Sequence, residues 1–139
     1  STIGATHYLI VGMGRAGTSA YDYLKTHKQR PLGVDADPET IETHLKNRRR
    51  VIYGDSQDIN FWKAFNMSNV NAILLMIPDK SRKVQATKFI REAGYAGLIH
   101  ALVRDGDDAT GLIEAGVDEV IQPFERAGRD IAENIMALA

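Results

Sequence analysis

The sequence predicts an α/β fold: a single domain built on a Rossmann-like, doubly wound parallel sheet of six strands. Two observations support this class. Short apolar segments alternate with segments of helical pattern along the chain, and the first apolar segment runs into a glycine-rich turn. Parallel strands are buried on both faces and therefore read as apolar runs, and right-handed helical connections join them into one sheet. We expect the strand order 3-2-1-4-5-6, with a ligand at the switch point between the first and fourth strands.

The strands are predicted wherever a short run of aliphatic residues is bounded by polar or turn-forming residues. They are Tyr8–Val11, Leu32–Val34, Val51–Tyr53, Ala72–Met76, Leu98–Val103 and Glu119–Ile121.

A helix is predicted after each strand. Pro38 suits a first helical turn, and Asp79 suits the cap before the fourth helix. Gly94 and Gly116 stand where helices end. The helices are Arg15–Thr26, Pro38–Lys46, Ile59–Phe65, Lys80–Ala93, Asp108–Ala115 and Arg126–Leu138.

The last predicted helix has an apolar stripe formed by Ile131, Ile135 and Leu138, at positions i, i+4 and i+7. Such a stripe must pack on something apolar. It packs either on the sheet of its own chain or on a second subunit, and the sequence leaves both open.

With 139 residues, the chain is expected to form a flexible lead-in over residues 1–6 and one domain over residues 7–139. A net charge of −1 argues against binding to nucleic acid or to an anionic membrane. The absence of cysteine excludes disulfides, thiolate catalysis and zinc–thiolate sites. No apolar run approaches the ~20 residues of a membrane helix. The first residues lack a signal-peptide pattern and read as a cut point within a longer protein.

The turn after the first strand has the motif Gly12-Met13-Gly14-Arg15-Ala16-Gly17. In this motif the first glycine permits the tight turn, the second lets a phosphate approach the backbone, and the third lets the helix pack closely. The helix N-terminus offers N–H groups and a partial positive charge to an anion. The second strand ends at Asp35, where a carboxylate can bind ribose hydroxyls. These features predict an adenine nucleotide. The alternative is that the glycines only form a turn and Asp35 only ends a strand.

Further candidate contacts flank this motif. Arg15 can pair with a phosphate or remain solvated. In the segment Asp35-Ala36-Asp37, the first acid is the ribose candidate, and Asp37 is equally suited to contact the ligand or to cap the second helix. An acid at this place argues against a cofactor with a 2′-phosphate.

Later strand ends complete the candidate site. In Gly54-Asp55-Ser56, after the third strand, the carboxylate and the hydroxyl can bind an adenine ring, although the segment also suits a turn and a helix cap. Ile77 and Pro78, after the fourth strand, can wall the nucleotide. Arg104, after the fifth, either reaches a second phosphate or pairs with a nearby acid. None of these residues is an evident acid or base for catalysis.

The four histidines, His7, His27, His44 and His100, have neither metal-ligand spacing nor a triad arrangement. We interpret them as structural or solvated. The basic run of residues 46–50, KNRRR, lies at a predicted helix end, where cations complement the helix dipole. We interpret it as a solvated face rather than a nucleic-acid surface.

The runs LIVGMGRAG, VDADPE, YGDSQD, LVRD and IEAGVDEVIQP together resemble the regulatory nucleotide-binding domain of bacterial potassium channels and transporters, the RCK N-terminal, KTN or TrkA-N class. The most specific parts are the glycine loop with Arg15, the Gly54-Asp55 step and the phrase Ala115-Gly116-Val117-Asp118. Within this class the chain looks most like the C-terminal cytosolic domain of Kef-type potassium efflux systems, in which a potassium/proton antiporter is fused to this module.

The resemblance implies a regulatory domain without chemistry of its own. Such a domain binds AMP or NAD(H), forms a homodimer and gates a membrane antiporter domain of the same longer chain, at the cytoplasmic face of the bacterial inner membrane. The family's nucleotide contacts fall on Gly12, Gly14, Arg15, Ala16, Gly17, Asp35, Asp37, Gly54, Asp55 and Ser56, to which we add Ala36, Ile77 and Arg104 as candidate site residues.

Kef systems also respond to glutathione at a second site near the dimer interface. Arg104 matches a family arginine near that site. The segment MIPDKSRKVQA, however, lacks the acid pair followed by asparagine that those members show. The resemblance therefore leaves open whether a glutathione site is present, because most of its residues have no counterpart that the sequence identifies.

Two other functions compete with this interpretation. One is a small NAD-dependent oxidoreductase or its cofactor domain, against which stand the short chain and the lack of a positioned acid or base. The other is the peripheral subunit of a TrkA-type potassium uptake system. AMP and NAD(H) both stay open as ligands at this point.

Overall fold

A computed structural model describes residues 6–104 and 109–139, and in these ranges strands and helices alternate strictly. The strands are β1 (Tyr8–Val11), β2 (Pro31–Asp35), β3 (Val51–Tyr53), β4 (Ala72–Leu75), β5 (Leu98–Leu102) and β6 (Glu119–Ile121). The helices are α1 (Arg15–Thr26), α2 (Pro38–Lys46), α3 (Ile59–Lys63), α4 (Lys80–Glu92), α5 (Ala109–Ala115) and α6 (Pro123–Ala137).

The strands form one parallel sheet in the order β3-β2-β1-β4-β5-β6. Val11 at the end of β1 lies opposite Val34 and Leu75, and Asp35 lies opposite Tyr53. The carboxyl ends of β3, β2, β1 and β4 therefore meet along one edge. The predicted fold class and strand order are confirmed, with the switch point between β1 and β4.

The two faces of the sheet carry separate cores. Leu9 and Val11 of β1 pack in a cluster with side chains of α3, α4 and α5. Ile10, between them, packs in a second cluster with Met13 and Tyr21. Because successive strand residues point to opposite faces, α3, α4 and α5 cover one face, and α1 and α2 cover part of the other.

Beside α1, the second face forms an apolar groove of about 460 Å³ over β1, β4, β5 and β6. Helix α6 has no buried residue. Of the two alternatives for its stripe, packing on the sheet of its own chain is therefore not observed. Within the described ranges, no helix is both long and apolar enough to cross a membrane. The groove is lined by Tyr8, Ala20, Tyr23, Leu24, Ala72, Leu74, Met76, His100, Ala101, Leu102 and Ile121.

Most of the residues that were predicted to start or end helices are found at those positions. Pro38 occupies the first turn of α2, and Asp79 caps α4 by accepting a hydrogen bond from Arg82 N–H. Gly94 and Gly116 follow helix ends with φ of +99° and +122°, in the left-handed region that glycine adopts without strain.

Several predicted ends shift by a few residues. Helix α6 begins at Pro123 rather than Arg126, because the fixed φ and missing N–H of proline suit the first helical position. Strand β2 is longer than predicted, whereas β4, β5, α3, α4 and α6 end earlier than predicted. The predicted start of α5, Asp108, lies outside the described residues. Thr6, predicted to belong to the lead-in, is buried and accepts a hydrogen bond from Arg50 Nη2 at 2.7 Å.

Candidate nucleotide-binding site

The glycine-rich turn joins β1 to α1 at the switch point. Gly12 has a φ of +96°, and a Cβ there would lie 2.9 Å from the backbone nitrogen of Ile77. A Cβ on Gly17 would lie 1.9 Å from the carbonyl oxygen of Gly12. The close packing of β1, α1 and the end of β4 therefore requires glycine at both positions.

Gly14 differs from these two glycines. Its backbone is extended, with φ of −75° and ψ of −157°, which any residue can adopt. A Cβ there would meet no atom of residues 6–104 and 109–139 within 4 Å. Gly14 is the N-cap of α1, and no side chain caps this helix. By contrast, Asp37, Asp58 and Asp79 cap α2, α3 and α4. The first N–H groups of α1 thus lack the side-chain partner that its neighbours have.

Asp35, at the end of β2, is turned towards the glycine loop. One carboxylate oxygen accepts a hydrogen bond from Met13 N–H at 2.8 Å, and the other accepts one from Asp37 N–H at 2.9 Å. The carboxylate ties β2 to the loop, and each oxygen keeps a lone pair for a further donor. Asp37 itself accepts from Glu39 N–H and from the Thr40 hydroxyl, both at 3.0 Å. The structure therefore shows the capping role predicted for Asp37.

The segment Gly54-Asp55-Ser56 leaves β3 at the same edge. A Cβ on Gly54 would lie 2.2 Å from the Phe61 ring, so this glycine allows an aromatic side chain of α3 to pack against the strand end. The Asp55 carboxylate accepts a backbone hydrogen bond from Gln57 at 2.9 Å. The helix cap that was the alternative role of the segment is made instead by Asp58.

These segments border one cleft of about 280 Å³ at the carboxyl ends of β1 to β4. The glycine loop, the ends of β2 and β3, and the end of β4 with the start of α4 all contribute to its lining. The predicted site residues that line it are Gly12, Gly14, Asp35, Ala36, Gly54, Asp55, Ser56 and Ile77.

The remaining predicted residues lie outside this lining. Arg15 and Asp37 border a neighbouring depression of about 690 Å³ between α1 and α2. Ala16 and Gly17 belong to the first turn of α1, where Ala16 is exposed and Gly17 is buried. Arg104 is exposed just after β5 and is not among the described lining residues.

Arg82 lines the cleft although it belongs to none of the motifs. It is exposed in the first turn of α4, and Pro78 lines the cleft at the same end. Its N–H donates to the Asp79 carboxylate at 2.9 Å. Hydrogen bonds from the Ser81 hydroxyl and from this N–H hold the pKa of Asp79 below its ordinary value. The sequence feature that could have identified Arg82 as a site residue is its position as a cation in the first turn of the helix after the switch-point strand.

His44 and His100 make structural contacts, as predicted, whereas the basic run is only in part the solvated face predicted for it, because Arg49 and Arg50 are partly buried. His44 is buried and bonded to the main chain of the glycine loop, and His100 lies 3.7 Å from Glu119. In the basic run, Arg49 pairs with Asp22 at 2.9 Å. Among residues 6–104 and 109–139, no group of three or more His, Asp or Glu residues could hold a metal ion.

A curated relative is the glutathione-regulated potassium-efflux system protein KefC of Cronobacter sakazakii, which is 28% identical over 131 residues. The match covers 91% of this chain and 21% of KefC, so the chain spans about a fifth of the length of this relative.

Two solved structures share the fold. The NAD(P)-binding domain of an exopolyphosphatase-related protein from Archaeoglobus fulgidus has a TM-score of 0.88 at 20% identity, covering 95% of this chain and 98% of that one. The Kef CTD of Shewanella denitrificans, solved in an AMP-bound form, has a TM-score of 0.75 at 18% identity, covering 96% of this chain and 82% of that one.

A family match agrees with the motifs. The TrkA-N domain family matches residues 8–123, a span that holds the glycine loop, all the strands described above and every lining residue of the cleft. The resemblance seen in the sequence is confirmed. The chain belongs to the TrkA-N domain family.

Proposed function

We propose that this domain binds an adenine nucleotide in the cleft and regulates a membrane potassium transporter. The main observation in support of this binding site concerns Gly14. No protein atom within 4 Å would clash with a Cβ at this position, yet glycine stands there, at the uncapped start of α1 and on the lining of the cleft. A phosphate lying against the backbone accounts for both features, because it needs close approach and supplies acceptors for the N–H groups.

The other cleft residues suit the remaining parts of a nucleotide. In this proposal the ribose lies by Asp35, whose oxygens each retain a lone pair beyond their backbone hydrogen bonds. The adenine lies by Gly54-Asp55-Ser56, and Ile77 walls the ligand from the β4 side. Arg15 reaches the phosphate from the first turn of α1.

The size of the cleft favours a mononucleotide. Its volume of about 280 Å³ is just below the range of roughly 300–1,000 Å³ that is typical of small-molecule pockets. A dinucleotide must extend past Ile77 towards Arg82 and Arg104. We therefore expect AMP to bind more tightly than NAD(H), with these two arginines as the contacts to a second phosphate.

The regulatory role is supported by what the named relatives are. KefC is a potassium-efflux protein, and the AMP-bound domain of similar fold is a Kef CTD. We propose that this chain is likewise joined to a membrane antiporter domain and lies at the cytoplasmic face of a bacterial inner membrane. The nucleotide must bind the two states of the transporter with different affinity, since equal binding would shift nothing.

A homodimer is part of the proposal. Helix α6 exposes Phe124, Ile131, Ile135, Met136 and Leu138, each more than 60% exposed, while the apolar groove lies open beside α1. Ile121, the last residue of β6, lines the groove, so α6 departs from its edge. A second copy that places its α6 in this groove, and receives α6 in return, would bury both surfaces in a symmetric interface.

Gly14→Ala tests the nucleotide site with one methyl group. The added Cβ occupies open space, and the change of N-cap costs at most about 1 kcal/mol, so the domain should fold. We expect titration calorimetry to show AMP affinity at least about tenfold weaker, equivalent to the loss of one charge-assisted hydrogen bond. The matched control is Gly128→Ala in α6, where a Cβ also meets open space.

Each outcome bears on one part of the proposal. Unchanged AMP binding by Gly14→Ala would contradict the placement of the phosphate, and absence of AMP binding by the unmodified domain would contradict the nucleotide site. Tighter binding of NADH than of AMP would contradict the preference for a mononucleotide. In the full-length transporter, reconstituted in vesicles, Gly14→Ala should remove the effect of AMP on potassium flux.

A further inference from the structure

Met13, between the first two glycines of the loop, is held at three points. Its side chain is buried under Gly33, where a Cβ would lie 2.7 Å from Met13 Cγ. Its N–H donates to Asp35 at 2.8 Å. Its carbonyl oxygen accepts a hydrogen bond from His44 Nε2 at 2.7 Å and one from the Thr18 hydroxyl at 3.3 Å. The shorter of the two bonds to the carbonyl comes from His44.

The partners of His44 contact both nitrogens of its ring. A carbonyl oxygen only accepts, so Nε2 carries the proton that is donated to Met13. On the other side of the ring, Arg49 Nη1 lies 3.3 Å from Nδ1, and because a guanidinium only donates, Nδ1 is the acceptor. His44 is 6% exposed, and these two contacts orient its ring from both sides.

Arg49 is in turn fixed by Asp22 of α1. Its Nε and Nη2 donate to the two carboxylate oxygens at 2.9 and 3.0 Å, the paired geometry that is strong for arginine and carboxylate. This hydrogen bonding lowers the pKa of Asp22 and raises the pKa of Arg49, so both stay charged. The network Asp22–Arg49–His44 runs from the outer side of α1 through α2 to the loop.

We propose that His44 is a positioning residue for the phosphate-binding loop, an inference that rests on the proposed nucleotide site. The carbonyl of Met13 and the N–H of Gly14 belong to one planar trans peptide, so they point in opposite directions. By holding the carbonyl towards α2, His44 aims the N–H of Gly14 away from α2, and Gly14 lines the cleft. Asp35 holds the preceding peptide in the same way through Met13 N–H.

The test compares His44→Leu with His44→Gln. Leucine removes both hydrogen bonds, whereas the glutamine amide can donate to Met13 and accept from Arg49. Each variant is titrated with AMP and with adenosine, at a temperature where circular dichroism shows it folded. We expect His44→Leu to weaken AMP binding about tenfold or more and adenosine binding less than about twofold, because adenosine has no phosphate for the loop to bind. His44→Gln should restore AMP affinity to within about threefold.

Thr43→Ala, a neighbouring exposed position on α2, controls for a general disturbance of the helix. If His44→Leu does not fold, Arg49→Met, which removes the donor to Nδ1 and leaves the bond from Nε2 to Met13, should give a smaller loss that is again selective for AMP over adenosine. Equal losses for AMP and adenosine, or none, would overturn the positioning role and leave the nucleotide site intact. Failure of the unmodified domain to bind AMP would overturn both proposals.

Discussion

Among single residues, Tyr95 shows how burial ties ionisation to folding. It is 6% exposed, and its hydroxyl donates to the Leu98 carbonyl at 3.0 Å. Burial raises the pKa of Tyr95 to about 12, an effect that Arg91 opposes and Asp118 reinforces. The folded protein thus keeps a proton that the unfolded chain releases near pH 10.

We expect a loss of stability at alkaline pH that depends on this residue. Below about pH 10 both states are protonated and the contribution is constant. As the pH rises from there to about 12, only the unfolded chain loses the proton, so the free energy of unfolding falls by about 1.4 kcal/mol per pH unit. The free energy of unfolding, measured by urea titration at several pH values, should fall less steeply with pH for Tyr95→Phe than for the unmodified domain.

Tyr95→Phe should also cost about 1 kcal/mol at neutral pH, through the lost hydrogen bond. Tyr53→Phe is the control. Because Tyr53 is 60% exposed, this substitution should not lower the stability. Identical alkaline slopes for Tyr95→Phe and the unmodified domain would contradict the role given to burial.

The residues of the candidate site were predictable to different degrees. The spacing of Gly12, Gly17 and Asp35 follows from the geometry of a strand, a turn and a helix, so the motif alone indicates their places. The bonds of Met13 to Asp35 and His44 join residues that are far apart in sequence. No local sequence pattern predicts these long-range hydrogen bonds, so His44 could be predicted only as structural or solvated. Arg82 was missed because its position depends on how α4 starts beside the cleft.

At the scale of elements, the described residues of its own chain leave α6 uncovered. Its apolar residues recur every three to four positions, with Ile131 61% and Ile135 64% exposed, and none of its residues is buried. Burial of such an apolar face stabilises the protein only when another surface covers it. In the proposal, that surface is the groove of a second copy.

Ile135→Glu should disrupt the dimer without unfolding the domain. Burial of an isoleucine side chain contributes about 1.5–3 kcal/mol, and each α6 enters one groove, so a symmetric dimer loses this twice. We expect the dimer dissociation constant from sedimentation equilibrium to rise at least about 100-fold. The thermal midpoint of the monomer should not change, because Ile135 makes no buried contact within its own chain.

The matched control is Ala137→Glu, which adds the same charge on the opposite side of α6. It should leave the dimer intact. If both substitutions have the same effect, charge rather than the apolar stripe controls association. If the unmodified domain is monomeric at millimolar concentration, the proposed interface is wrong.

The elements themselves could be predicted well because their signals are local. Apolar runs give the strands, and caps such as Asp79 and Gly94 give helix ends. The predicted start of α6, Arg126, is wrong because the helix already begins at Pro123, a residue type that suits the first helical position. The partner of the α6 stripe could not be decided from sequence, because amphipathic periodicity indicates that a face is buried but not against what.

At the scale of the whole molecule, the cleft and the groove meet at the end of β4. Met76 lines both of them. It follows β4 directly, and its N–H donates to the Val11 carbonyl at 2.7 Å. A ligand in the cleft and a second copy in the groove would therefore contact the same short segment from opposite sides.

We expect AMP to tighten the dimer by at least about fivefold, the lower end of typical coupling between sites. A nucleotide against Met76 and Ile77 immobilises the segment that also forms the groove, so the second copy binds a surface that is already ordered. Sedimentation equilibrium with and without saturating AMP measures this effect directly. Because a symmetric dimer holds two nucleotide sites, linkage requires that each site of the dimer bind AMP more tightly than the monomer by the square root of that factor, about twofold or more. Ile135→Glu, as a monomer, should therefore bind AMP more weakly by about twofold or more. Equal dimer dissociation constants with and without AMP would mean that the cleft and the groove act independently, despite the residue they share.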